Sequence, residues 1–312
     1  MKYIDIDNKK LSSMTIGTVQ LGMNYGIANE GGKPDEQKSF SMLRAAFENG
    51  ITALDTARAY GDSEDVIGRF LKTWTGEVPY IATKICKFPE DVNVEKHVLS
   101  SMETSLEKLG VSKVNTVMLH SPVDLLAHKD SVASAMQELL KRGYADRIGV
   151  SVYVAEEIEE MLKHPEFSVT QVPMSIFDQR LIASGTVKKL KDANYTVFVR
   201  SVFLQGLFFL DPDSMTDPIL LEHAAPSIRL LHEIASSEGM SIAQLAIAFM
   251  RDTVGVTSLV LGADTPEQVK ENISYFDTPS LSDKVTTTIR EHFARVNIPE
   301  IMKVLSRPKK QN

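Results

Sequence analysis

"ITALDTARAYGDSEDVIGRFL", residues 51–71, opens as a short apolar strand, ends it on Asp55, and carries Tyr60 five residues further on. Gly61-Asp62-Ser63-Glu64 then turns the chain into a helix, and the pattern gives Ser63 and Glu64 no more than the role of starting it. A carboxylate at the end of a buried strand has a plain reading as a loop cap. A tyrosine just beyond it has one as packing. Which reading holds depends on what the rest of the chain builds around this strand.

The rest of the chain alternates. Runs rich in β-formers recur at residues 14–18, 52–55, 80–85, 114–120, 147–152, 168–173, 196–200 and 257–261. Helical patterns fill the gaps at 35–49, 63–73, 94–109, 131–142, 155–163 and 184–193, then over a double segment at 226–252 and at 265–276. Gly50, Gly110 and Gly143 stand just past three of these ends, where glycine takes the left-handed conformation that closes a helix. Eight strand-then-helix units predict parallel βαβ connections. The runs VNTVML, TVFV and SLVL are continuously apolar, as strands buried on both faces are. Neither a G-x-G-x-x-G fingerprint nor a Walker loop follows the first strand, which argues against a Rossmann or P-loop fold. The expected fold is an α/β, single-domain (β/α)8 TIM barrel over 1–312, with 303–312 as a flexible C-terminal tail.

Composition narrows the partners. Hydrophobic residues make up 43% and charged residues 24% of the 312, the balance of a globular domain, and the formal net charge is −7. An acidic chain whose one basic cluster is 307–310 offers no phosphate-binding stripe, so nucleic acid and anionic membrane are poor expectations. Cys86 is the single cysteine, which excludes an intrachain disulfide and a cysteine-based zinc site. With no signal-peptide core in MKYIDIDNKK and no apolar run near ~20 residues, a cytoplasmic protein is expected.

In a barrel of this kind chemistry sits at the C-terminal ends of the strands. Those ends carry Asp55 with Tyr60, then Lys84, His120, Ser151, Gln171, Arg200-Ser201 and Gly262-Ala263-Asp264. Asp55, Tyr60, Lys84 and His120 make chemical sense together. A carbonyl that accepts a hydride needs a proton, and a phenol near pKa ~10 is a weak donor. A neighbouring ammonium lowers that pKa, and a carboxylate holds the ammonium in place. Lys84 and Asp55 supply that pair, Tyr60 becomes the general acid, and His120 orients the carbonyl.

"GITALDTARAYGDSEDVIGRFL", "IATKI", "VMLHSP", "IGVSV", "QVPMSIFDQR", "SVFLQGL" and "LVLGADTPEQVKENI" occur in the order of the blocks of the aldo-keto reductase superfamily, which the chain resembles from Ile16 to Ile273. The resemblance implies a (β/α)8 barrel, a nicotinamide cofactor held without a Rossmann fold, and the tetrad Asp55, Tyr60, Lys84 and His120. It also places cofactor contacts. Ser151 and Gln171 would take the nicotinamide carboxamide, and Gly17, Thr18 and Asp55 lie beside it. Ser201, Val202, Leu204 and Gly206 would cradle the pyrophosphate. Gly262, Ala263, Asp264, Gln268, Glu271 and Asn272 would surround the adenosine half.

Three departures from the family pattern stand out. Val152 replaces an asparagine, and Arg200 replaces an aromatic residue that stacks on the nicotinamide, so Arg200 could stack, meet a phosphate or meet an acidic substrate. The region of the 2′-phosphate has Asp264 and Gln268 and no basic residue before Lys270, so NAD(P)H is the expected cofactor with a lean toward tolerance of NAD(H). Cys86, two residues beyond Lys84, is expected as a small buried filler. The substrate class is an aldehyde, ketone or sugar, with Tyr25 and Asn29 adding polar and aromatic lining at the mouth. Two other readings are a Schiff-base aldolase built on Lys84 and a non-catalytic nicotinamide-binding module. Oligomeric state is not legible.

Overall fold

The computed structural model describes residues 1–29 and 31–307. Its ten strands are Tyr3–Ile6 (β1), Lys9–Ser12 (β2), Met14–Gly17 (β3), Ala53–Asp55 (β4), Tyr80–Ile85 (β5), Val114–Leu119 (β6), Ala145–Ser151 (β7), Val169–Pro173 (β8), Thr196–Arg200 (β9) and Ser258–Leu261 (β10). Strands β3 to β10 pair in parallel, and β10 meets both β9 and β3, so the sheet closes into an eight-stranded barrel. The register sets Gly17 beside Asp55, Lys84 beside Met118, and Ser151 beside Gln171. Asp55, Lys84, Ser151 and Gln171 all lie within two residues of the C-terminal ends of their strands. The expected (β/α)8 barrel is the fold.

The N-terminal end is closed by a feature the sequence reading missed. Strands β1 and β2 form an antiparallel hairpin whose two turn residues, Asp7 (φ 50) and Asn8 (φ 65), are both left-handed. That is the turn geometry whose twist matches a hairpin, and Asp and Asn tolerate it. Ile6 and Leu11 from the hairpin bury against Ala53, Tyr80, Ala82, Met118, Val169 and Phe198 inside the barrel. Arg147 on β7 clasps Asp7 through two contacts of 2.5 and 3.1 Å.

The outer layer follows the expected helices with local changes. The 131–142 pattern is the second half of a longer helix, Pro122–Lys141, broken at Lys129 (φ 41, ψ −114). Proline at its first turn costs no hydrogen bond there. The double segment at 226–252 separates into Ala225–Ser237 and Ile242–Arg251, with left-handed Gly239 between them. Two further helices follow, Asp283–Phe293 and Ile298–Leu305. Phe293 stacks on Phe177 at 5.1 Å, and Gln179 Nε2 donates to the Ile289 carbonyl at 3.2 Å, which docks the first of them beneath the loop after β8. The tail expected at 303–312 starts inside the second. Leu305 is buried there, so apolar packing holds residues 303–305 in the fold, while 308–312 lie outside the described residues. No helix among the described residues is long and apolar enough to cross a membrane.

Candidate active site

Lys84 is the centre of the site. It has no exposed surface, and its Nζ donates to Asp55 Oδ1 at 2.6 Å, to the Thr56 carbonyl at 3.0 Å and to Tyr60 Oη at 3.4 Å. Burying an ammonium is costly unless it is paired and hydrogen-bonded, and here three acceptors surround it. His120 stands edge-on to the Tyr60 ring, centroids 5.5 Å apart at 87°. The four residues expected to act together therefore meet.

The electrostatics differ from expectation at one point. Burial pushes the Tyr60 phenol well above its ordinary range, Asp55 pushes it further, and the Arg200 guanidinium pulls against both. Lowering by Lys84 was expected, but Asp55 lies 2.6 Å from that ammonium and cancels much of its field. Burial also pushes Lys84 down, opposed by Asp55. His120 is pushed down to about 4 by burial, with Lys84 and Arg200 adding to the shift, so the ring is neutral at neutral pH.

The loop bearing Tyr60 is fixed by residues that the sequence left a minor role. Ser63 Oγ donates to the Thr18 carbonyl, and Thr18 Oγ1 donates to the Asp55 carbonyl, both at 2.9 Å. Glu64, buried, accepts from Thr83 Oγ1 at 2.7 Å and Arg58 Nη1 at 3.4 Å. Thr18 is thus a brace beneath the cleft as well as part of its wall. Gly22 and Gly61 allow the close approach: a Cβ on Gly22 would lie 1.7 Å from the Tyr60 carbonyl oxygen, and one on Gly61 (φ 56) 2.2 Å from the Gly22 oxygen.

From Asp55 and Tyr60 a cleft of about 610 Å³ runs across the mouth of the barrel. Gly17, Thr18, Arg200, Ser201, Val202, Gly206, Gly262, Ala263, Asp264, Gln268, Glu271 and Asn272 line it, as the sequence led one to expect. Ser151 and Gln171 lie beneath, buried side by side. Gln171 Nε2 donates to Asp55 Oδ1 at 2.8 Å, while its Oε1 is buried with no protein partner. A buried amide oxygen left open is an acceptor in search of a donor. A nicotinamide carboxamide would supply one. Beyond it, Ser201 (φ 64), Leu204 (φ 46), Gln205 (φ 58) and Gly206 (φ 94) hold left-handed backbone along the cleft edge. Such strain is retained where a surrounding structure enforces it, commonly at binding sites. The donor set and the loop fit a dinucleotide.

One expectation is narrowed and one fails. Leu204 turns its side chain into the hydrophobic core, 2% exposed, so it anchors the loop and adds no side chain to the cleft. Cys86 is half-buried beyond the end of β5, where the chain leaves the barrel wall, and is no core filler. The sequence reading also missed Gln205, Phe203, Phe209, Tyr275 and the segment Ser241–Ala243, all of which line the cleft. The segment had a signal: Ser241 and Gln244 form a reciprocal capping box at 3.1 and 2.8 Å, the S-x-x-Q pattern of a helix start.

The aldo/keto reductase family model matches residues 13–294. The chain is 26% identical to L-glyceraldehyde 3-phosphate reductase of Escherichia coli, over 94% of this chain and 92% of that one. It is also 26% identical to the NADH-specific methylglyoxal reductase of Escherichia coli, over 90% and 94%. Among solved structures, the glycerol dehydrogenase of Gluconobacter oxydans shares the fold at a TM-score of 0.76 with 22% identity, over 99% and 98% of the two chains. An aldo-keto reductase from Bacillus halodurans does so at 0.76 with 22% identity, over 93% and 96%. With its eight-stranded barrel, its buried lysine and the family match across most of its length, this chain is an enzyme of the aldo/keto reductase family, the nicotinamide-dependent carbonyl reductases.

Proposed function

We propose that this enzyme transfers a hydride between a nicotinamide dinucleotide and the carbonyl carbon of an aldehyde, ketone or sugar, with Tyr60 giving its proton to the carbonyl oxygen. One observation carries the reading: Lys84 is buried between Asp55 at 2.6 Å and Tyr60 Oη at 3.4 Å at the closed end of the cleft. The dihydronicotinamide, when bound, supplies the hydride. Ser151 and Gln171 would hold its carboxamide, the 201–206 loop its pyrophosphate, and Asp264, Gln268, Glu271 and Asn272 its adenosine half. The raised pKa keeps Tyr60 protonated, which is the state reduction needs. As Tyr60 gives up the proton, the Lys84 ammonium stabilises the phenolate left behind. Neutral His120 can donate its ring N–H to the carbonyl oxygen and so set the substrate's angle.

The Schiff-base reading gains no support. Lys84 does not line the cleft, and its nitrogen is engaged by three acceptors. Tyr60→Phe is expected to lower kcat for carbonyl reduction by about 10²- to 10⁴-fold while the melting temperature holds. Unchanged reduction would remove the tetrad from the mechanism. Reduction is best sought with a panel of aldehydes, ketones and free sugars, run in both directions at the nicotinamide absorbance band.

The lean toward NAD(H) rests on charge. Asp264 and Glu271 line the cleft, and Arg200 is the sole lysine or arginine among its described lining residues. Carboxylates repel a 2′-phosphate and accept from a free 2′-hydroxyl. The similarity to an NADH-specific relative points the same way. Titrations of NADH and NADPH at equal ionic strength should give an NADH affinity at least equal to that for NADPH, and a clear preference for NADPH would refute this.

A further inference from the structure

The guanidinium of Arg200 has no role in the reaction as derived so far. It leaves the end of β9, lies 4.5 Å over the Tyr153 ring, and makes one long contact of 3.4 Å to Ser201 Oγ. Its Nη2 is buried with no hydrogen-bond partner, and no carboxylate pairs with Arg200 among the described residues. Arginine is normally buried only when paired. Arg200 lines the same cleft as Tyr25, Asp55 and Tyr60.

The charge balance there has the same sense. Lys84 and Asp55 neutralise one another and His120 is neutral, so the charge of Arg200 has no counterpart among the catalytic residues. The other two acidic residues of the cleft, Asp264 and Glu271, keep their charge but are bonded elsewhere than to Arg200: Asn29 donates to Asp264 at 3.1 Å and Tyr275 to Glu271 at 2.5 Å. Aromatic rings of Tyr25 and Tyr60 line the same end, and the Tyr153 ring already occupies one face of the guanidinium. A planar fork that lines the cleft and keeps an unpaired nitrogen is a donor suited to an oxyanion.

We propose that Arg200 is the specificity-determining anchor for an anionic group on the substrate, so that the enzyme prefers carbonyl compounds bearing a carboxylate or phosphate close to the reacting carbon. This rests on the carbonyl-reductase reading above and narrows its substrate class. The fork pairs with the anion, and the carbonyl is thereby set against Tyr60 Oη and His120. Two alternative uses of Arg200, stacking on the nicotinamide or holding the pyrophosphate, make a different prediction: its loss would weaken dinucleotide binding.

Steady-state kinetics on matched pairs separates these. The pairs are pyruvate with hydroxyacetone, succinic semialdehyde with butanal, and dihydroxyacetone phosphate with dihydroxyacetone. The wild-type enzyme should favour the anionic member of at least one pair, and the pair identifies carboxylate or phosphate as the group. Arg200→Met keeps the apolar stem and should cut that preference by about 10- to 100-fold, chiefly through KM, with Arg200→Lys in between. A second readout does not need turnover: calorimetry of oxamate and of inorganic phosphate, with NADH present, should show anion binding that Arg200→Met loses. Wild-type preference near one in every pair, or equal losses on both members of each pair, overturns the anchor. So does a fluorescence titration showing that Arg200→Met acts by weakening NADH. If the wild type reduces no carbonyl in the panel, the carbonyl-reductase reading fails, and calorimetry alone decides the anion site: retained binding in Arg200→Met rejects it.

Discussion

The two ends of the barrel treat polar groups in opposite ways. At the N-terminal floor, polar side chains inside the barrel are matched. Tyr80 Oη meets Thr116 Oγ1 at 2.6 Å, Thr15 Oγ1 meets Ser258 Oγ at 2.7 Å, and Ser258 Oγ donates to the Ser12 carbonyl at 2.8 Å. The hairpin adds Ile6 and Leu11 to seal the layer. At the mouth, Gln20 Oε1, Gln171 Oε1 and Arg200 Nη2 are buried without partners, and a run of left-handed residues borders the cleft. Each open group forgoes a hydrogen bond and costs about 1–3 kcal/mol of desolvation. The floor stabilises the fold, and the mouth holds groups ready for something the chain itself does not supply.

That contrast can be broken from the floor. Phe198 is fully buried, at a ring distance of 6.3 Å from Tyr80, and does not itself line the cleft. Phe198→Ala should cost about 3–5 kcal/mol in denaturant unfolding, through lost burial and a residual cavity. At temperatures where the variant is folded, its kcat/KM should stay within a few-fold of wild type. A large loss of activity in the folded variant would show that floor and mouth are mechanically coupled. Tyr60→Phe is the mirror image, with activity lost and stability kept.

Gly22→Ala tests how tightly the mouth is braced. The new Cβ would stand 1.7 Å from the Tyr60 carbonyl oxygen, so the Tyr60 loop must shift. A displacement of the order of 1 Å at a reacting group is worth about 10²-fold in rate. The expected result is that loss in kcat with little change in NADH affinity, read by nicotinamide fluorescence. Wild-type kcat would mean that the brace of Ser63 and Thr18 adjusts without moving the phenol.

The same contrast explains what could be read from the sequence. The barrel was legible because each unit writes its own signal: an apolar run such as VNTVML, a turn, and a helical period ended by glycine. The tetrad was legible because the topology places all strand ends on one rim. The hairpin was not, because Tyr3–Ile6 and Lys9–Ser12 are short and largely polar, and their apolar residues find partners only inside a barrel already closed. Ser63 and Glu64 looked like ordinary helix starters for a similar reason. Their partners Thr18 and Thr83 lie 45 and 19 residues away. Gln171 gives the sharpest case. Its amide was expected to meet the nicotinamide, and the structure adds a bond to Asp55, 116 residues distant, that fixes which end of the amide remains open. Leu204 shows the reverse: the motif fixed the residue's place in the loop, while only the structure shows its left-handed backbone and its side chain in the core.

The smallest expected effect concerns protons at the mouth. His120 is held down to about 4, from an ordinary value of 6.5, chiefly by burial and then by Lys84 and Arg200. As pH falls, the unfolded chain takes up this proton before the folded protein does. The resulting stabilisation is complete above about pH 6.5 and is lost as pH falls toward 4. His120→Gln lacks the titration. The wild-type melting temperature, measured against that of His120→Gln, should therefore run parallel above pH 7 and fall toward acid between pH 6.5 and 4. Nuclear magnetic resonance of the His120 ring proton gives the same pKa directly. A parallel difference across the whole window, or a ring that titrates near 6.5, would mean that the folded site lets the imidazolium form. His120 would then enter the reaction as a cation, competing with Tyr60 as the proton donor.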